Sequence, residues 1–243
     1  MAQSRLRFLA VTAVPLLVLG GLAWMVWSIK EPAPGAPAAP RWIPMALNTA
    51  AAVDRIPGWD VRRGSYRLAE TNGRKVLELL PEPLVEGKVL WTKAMRGSGG
   101  IRARMQGERS RRTYPRFSVG LNQEREVHLR AFPGERKLEL AACNPDLSNE
   151  VLLATVPLPD WGWQPGDWLW LELQLVPDAG QGFPVFEGRL WTEGAPRPAA
   201  PLLAHQMNLP ASVFFAALQG APFALRPIRI DAAEILPSGE GKP

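Results

Sequence analysis

Tryptophan supplies the densest chemical signal of the 243-residue sequence: Trp161, Trp163, Trp168 and Trp170 fall within ten residues, and Trp191 can join them across a sheet. Indole faces stack on sugar rings and are enriched at protein interfaces, and Trp also fills the core of a wide sandwich. The cluster is therefore a candidate binding surface, with core packing as the competing assignment. Catalytic pairs are harder to find. Retaining glycoside hydrolysis needs two carboxylates about 5 Å apart on one face. The nearest groupings, Glu124 with Glu126 and Glu135 with Glu139, are interleaved with Arg or Lys, the pattern of a solvated charged face. The two histidines, His128 outward on a strand and His205 in a loop, have no G-x-S-x-G elbow to serve, so no Ser-His-Asp triad is expected. The single Cys143 excludes a disulfide framework and a multi-cysteine zinc site, and at strand spacing in RKLELAAC it reads as a small buried apolar residue. No catalytic residue is assigned.

Two further stretches could bind ligands. The loop NPDLSNE offers Asn144, Asp146, Asn149 and Glu150, oxygen ligands of the kind Ca²⁺ prefers, although it lacks EF-hand spacing and its residues are also ordinary turn formers. No other cofactor is expected. The basic run RARMQGERSRRTYPR, Arg102 to Arg116, carries Arg109, Arg111 and Arg112 at its turn with Tyr114 close by. With a net charge of only +5 and an exported location, anionic headgroups or an acidic protein partner fit this run better than nucleic acid, and a plain solvated turn is the alternative.

The elements that must position these groups are strands. With 25 Pro and 22 Gly, long helices have little room after the N-terminal segment. Period-2 alternation recurs instead, as in Ile101, Ala103 and Met105 against Arg102 and Arg104, and in Val127, Leu129 and Ala131 against His128 and Arg130. In DWLWLELQLV, Leu169, Leu171, Leu173 and Leu175 share one face, and Trp168, Trp170, Glu172 and Gln174 share the other. Thr71-Asn72-Gly73 joins two such runs with a hairpin signal. About a dozen strands follow Trp42, a number suited to two antiparallel sheets packed face to face.

The stretch from Trp59, WDVRRGSYRLAETNGRKVLEL, resembles the entry strands of concanavalin A-like (laminin G-like) jelly rolls. GDWLWLELQLVPDAGQGFPVFEGRLWTEGAPRP and the late IRIDAAEI resemble the concanavalin A-like domain that follows some bacterial quinoprotein-like β-propellers. Trp168, Leu171, Gly188, Arg189, Trp191, Gly194, Pro196 and Asp231 carry that likeness, while PAAPLLAH stands where the family has a further Trp. The resemblance implies an all-β, two-sheet antiparallel jelly-roll sandwich over residues 42–237, and a Ca²⁺ site at a loop rim of the laminin G-like kind. It implies little chemistry, because lectins, glycosidases and interaction modules share this fold. The E-x-D-x-x-E run of its retaining glycosidases is absent.

Residues 8–29 form an uncharged run preceded by Arg5 and Arg7 and followed by Lys30 and Glu31. As a helix it spans roughly 33 Å, enough for a single crossing. Arg5 and Arg7 place residues 1–7 in the cytoplasm, and Trp24 and Trp27 suit the outer interface. A cleaved signal peptide ending at Gly21-Leu22-Ala23 is the alternative. Residues 30–41 read as a Pro/Ala-rich spacer and 238–243 as a tail. The expectation is a non-enzymatic, single-pass protein of the cytoplasmic membrane whose periplasmic or extracytoplasmic domain binds or scaffolds, as an accessory subunit of a larger membrane or envelope complex. A carbohydrate-binding module is the alternative, with a glycoside hydrolase behind it.

Overall fold

A computed structural model describes residues 41–81, 86–122, 125–144, 146, 148–177, 182–208, 213–222 and 226–238. Residues 40–243 make one compact unit. The anchor expected over 8–29, with Trp24 and Trp27, lies outside the described residues, as does Glu124. Among the described residues no helix is long and apolar enough to cross a membrane.

In chain order the first strands are β1 (Ile43–Pro44), β2 (Trp59–Arg63), β3 (Tyr66–Thr71), β4 (Arg74–Leu79), β5 (Gly87–Trp91), β6 (Met95–Arg96), β7 (Gly99–Gln106) and β8 (Arg116–Asn122). Then follow β9 (Glu126–Phe132), β10 (Lys137–Cys143), β11 (Val151–Pro157), β12 (Trp168–Val176), β13 (Val185–Thr192), β14 (Leu203–Gln206), β15 (Val213–Ala221) and β16 (Ile228–Leu236). Sheet A runs β14-β13-β12-β7-β16-β4-β3 with β1 on β16, and sheet B runs β11-β10-β9-β8-β15-β5-β2 with β6 on β15. Both are antiparallel throughout. The hairpin signal is met literally: Asn72 and Gly73 take positive φ, 52° and 73°, between β3 and β4.

The core is the space between the sheets. Leu169, Leu171, Leu173 and Leu175 of β12 face Val119, Leu121, Leu129 and Leu140 of sheet B, and all are buried. Each such side chain contributes about 2 kcal/mol on leaving water. Packing is close enough that a Cβ at Gly188 of β13 would lie 2.6 Å from Leu129 Cδ1, so glycine there lets Leu129 reach across.

Two expectations need correction. His205 lies on the edge strand β14, not in a loop, and is half-buried. Glu126, His128, Arg130 and Glu139 do point away from the core, but they are buried rather than solvated. The sheet B face that they occupy is enclosed, which alternation along one strand cannot register. For the same reason β15 escapes a reading by alternation. It is buried at both inward and outward positions from Phe214 to Ala221, apart from Phe215, so its sequence FFAALQGA lacks a polar beat.

Candidate functional site

The outer face of sheet A carries the aromatic signal. Register sets Trp170 opposite Trp191, and their rings stack at 5.7 Å with 9° between planes. Arg102 of β7 lies over Trp42 at 4.4 Å and Trp170 at 5.6 Å, and Arg104 lies over Trp168 and Trp170. The same guanidiniums grip carboxylates of β16, Arg102 on Glu234 at 2.6 and 3.1 Å and Arg104 on Asp231 at 2.5 and 2.7 Å. Buried carboxylates on this face meet two arginines each. Glu78 accepts from Arg67 and Arg229, and Glu172 from Arg189 and Arg197. Planar forks suit this double pairing, and the outer arginines keep part of their charge in water.

The five candidate tryptophans do not make one platform. Trp168, Trp170 and Trp191 are half-buried on the outer face, whereas Trp163 is buried in the core against Phe117 and Tyr114. Trp161 is half-buried against that core. Beside Trp168 lies a depression of about 610 Å³ bounded by Asp167, Thr192, Glu193 and three glycines. Its acids are already engaged, Glu193 by Arg104 and Asp167 by the Gln164 N–H, both at 2.7 Å.

The outer face of sheet B is built differently. One row across it reads Leu90, Ala217, Gly120, His128, Ala141, small in the middle. Longer side chains from the rows on either side fold over this floor. Lys88 and Gln219 both donate to Glu126, and Ser118 donates to Gln219 at 3.1 Å, with all four residues buried. A Cβ at Gly120 would sit 3.0 Å from Glu126 Oε1 and 3.3 Å from Gln219 Nε2, so glycine in the floor leaves the carboxylate its room.

This face holds the strongly shifted titrations, an arrangement associated with functional sites and with structural ion networks alike. Burial pushes the Glu126 carboxyl up despite Lys88, and burial likewise raises Glu86 despite Arg116. His128 falls to about 3 through burial and then the nearby Arg130 charge. Burial pushes the Cys143 thiol up to about 12, which makes it inert. The His128 Nδ1 lies 3.8 Å from Cys143 Sγ, while its Nε2 has no hydrogen-bond partner. Arg130 forks onto Glu150 at 2.6 and 2.7 Å.

At one end of this face the network opens into a groove of about 400 Å³ lined by Arg112, Tyr114, Arg116, Phe132, Gly134 and Glu135 among others. Strand ends supply Arg116 and Phe132, and the turns before β8 and after β9 supply the rest. The Phe132 ring has Lys137, Arg116 and Arg130 within 4.8, 4.9 and 5.4 Å of its centroid. Tyr114 packs on the Gly134 backbone, where a Cβ would lie 2.8 Å from the ring. Arg109 lies 5.0 Å over Tyr114 and donates to the Arg111 carbonyl at 2.6 Å. Two ring systems framed by hydrogen-bonding side chains can hold a ring-shaped polar ligand.

Of the basic turn, Arg112 thus reaches a groove, and Arg109 backs it through Tyr114. Glu135, read as half of a solvated pair, is exposed as expected and also lines the groove. Alternation along β9 does not single out Phe132, and its proximity to Tyr114 depends on how two turns of separate hairpins meet. The loop with Asn144, Asp146, Asn149 and Glu150 spends its groups internally. Asp146 accepts from the Ser148 N–H and O–H at 2.9 and 2.6 Å, Asn144 donates to Ser148, and Glu150 turns to Arg130. Among the described residues, no group of three His, Cys, Asp or Glu could hold a metal ion.

No family model matches the sequence, and no curated protein does. Solved structures do match. The carbohydrate recognition domain of Emp46p in its potassium-bound form is similar over 82% of this chain and 97% of its own, with TM-score 0.51 and 12% identity. Lectin UEA-II complexed with galactose covers 81% and 98%, with TM-score 0.55 and 9% identity. An endo-1,3-β-glucanase from Streptomyces sioyaensis covers 84% and 98%, with TM-score 0.50 and 12% identity. The fold is concanavalin A-like. At such identities the likeness extends to the fold alone, and the concanavalin A-like sandwich leaves the chemistry to the side chains.

Proposed function

We propose that this chain is a non-catalytic carbohydrate-binding domain, carried outside a membrane by the helix expected over residues 8–29. The observation that carries the reading is the groove at the end of sheet B, where Tyr114 and Phe132 stand among Arg112, Arg116 and Glu135. Sugar binding on a fold shared with lectins gives these rings and donors a use. A hydrolytic role has less support, because Glu126 is sealed beneath Lys88 and Gln219 with no exposed surface for a substrate to reach.

The test is a glycan array probed with the full chain in neutral detergent, followed by titration of the best binder. Tyr114→Ala and Phe132→Ala should each weaken binding about tenfold or more, the loss of one aromatic stacking contact with its buried area. Circular dichroism of both variants separates that loss from unfolding. Binding that ignores both substitutions removes the groove from the reading.

A second reading rests on sheet A. Trp42, Trp168, Trp170 and Trp191, half-buried outside the core and laced with arginines, have the composition of a protein interface centre. It supports an accessory-subunit role in a membrane complex. Mild-detergent purification of the tagged chain from its own membranes, with mass spectrometry, tests it. Stoichiometric membrane subunits that Trp170→Ala and Trp191→Ala release would establish this role, and recovery of the chain alone would end it.

A further inference from the structure

We infer that the groove takes an acidic saccharide, one bearing carboxylate or sulfate groups. The inference rests on the carbohydrate reading and adds the charge of the ligand. It follows from which cations around the groove are neutralised. Arg130 is paired with Glu150 and Glu139, Lys137 with Glu135 and Glu139, and Arg116 lies 3.7 Å from Glu86.

Four arginines have no such partner. Arg109, Arg111, Arg112 and Arg136 pair with no carboxylate among the described residues, although Arg109 and Arg136 are steadied by backbone carbonyls of Arg111 and Pro159. All four belong to the two turns, between β7 and β8 and between β9 and β10, that rim the groove. On sheet A, by contrast, arginines share carboxylates, Glu78 and Glu172 taking two apiece. Unneutralised Arg112 in the groove wall and Arg109 over the Tyr114 ring, beside Phe132, match a ligand that is at once anionic and ring-shaped. A bare anion would leave Tyr114 and Phe132 without a role, and a neutral sugar would leave the arginines without one.

The test titrates the full chain, in neutral detergent, with two acidic probes and their neutral counterparts. These are hexagalacturonate against its methyl ester, and dextran sulfate against dextran. At least one acidic probe should bind, its neutral partner should bind at least tenfold more weakly, and added salt should erase the difference. Arg109→Gln/Arg112→Gln, two exposed turn positions, should cost the acidic probe about tenfold and the neutral probe less, so that the acidic-to-neutral ratio narrows. Equal affinity for acidic and neutral probes overturns the inference and leaves the carbohydrate reading standing. Acid-dependent binding that ignores the double substitution also overturns it, by placing the anion elsewhere. No binding to any probe overturns the inference, and only a blank glycan array beside it removes the carbohydrate reading too. Equal, Arg112-dependent affinity for glycerol 3-phosphate reassigns the groove to headgroups.

Discussion

The two outer faces of this sandwich carry similar residues and treat them in opposite ways. On sheet A, buried Glu78 and Glu172 lie under pairs of arginines whose outer members reach solvent, and tryptophans support the neighbouring Arg102 and Arg104. On sheet B, Glu126 has a single cation, and that cation, Lys88, is itself buried. The difference lies in the floor. Sheet A offers Trp168, Trp170 and Trp191, which lift charges outward, while sheet B offers Gly120, Ala217 and Ala141, which let long side chains sink. Charge on a strand face therefore says little about exposure until the neighbouring strands are known.

If this contrast is right, the largest effect comes from Lys88. Lys88→Met leaves the Glu126 carboxylate buried without a cation, and losing one partner of a buried pair costs about 3–5 kcal/mol. Urea unfolding at neutral pH should show that loss. Adding Glu126→Gln should restore much of it, since a neutral amide can still accept from Gln219. A single-substitution loss below about 1 kcal/mol would mean that solvent reaches Glu126 and that the two faces are alike.

A smaller effect separates the faces by pH. His128 titrates near 3 in the folded chain against 6.5 in the unfolded one, so the unfolded chain binds the extra proton between those values. Its contribution to stability is present above pH 6.5 and is lost as pH falls toward about 3. Between pH 7 and pH 5 that amounts to about 2 kcal/mol. Glu86 and Glu126, raised by burial, act in the opposite sense, their folded forms holding protons that the unfolded chain releases as pH rises. The comparison must therefore be made against His128→Gln, which retains the carboxylates. Wild type should lose about 2 kcal/mol more than this variant over that interval. Parallel pH profiles would show that the imidazole is solvated.

What the sequence makes legible follows from the same geometry. The β12 alternation is readable because one side meets the core and the other meets a partly wet face, and the structure places Leu169 to Leu175 and Trp168 to Gln174 accordingly. Asn72-Gly73 is readable because a backbone conformation demands it. β15 is not readable, because burial on both faces removes the polar beat, and with it goes the centre of sheet B. His128 and Glu126 can be assigned to a face but not to a depth, since Gly120 and Ala217, from other strands, set the depth. Of the groove, residues 112–116 stand in a recognisable basic stretch, and Glu135 reads as part of a solvated pair. Phe132 and Gly134 join them through the fold of two turns, and spacing along one chain holds no record of that meeting.

The smallest effect belongs to sheet A and is the sharpest check on the contrast. Arg102 forks onto Glu234 with both side chains about a fifth exposed, and its guanidinium also lies over Trp42 and Trp170. By bond count this looks stronger than the lysine pair of sheet B. Yet water reaches both partners, so Glu234 left alone is still hydrated, and Met at position 102 keeps the aliphatic packing on the rings. Arg102→Met should therefore cost below about 1 kcal/mol by urea unfolding, and that cost should shrink in high salt. A loss equal to that of Lys88→Met would show that arginine pairing, rather than access to water, decides what a charge contributes on either face.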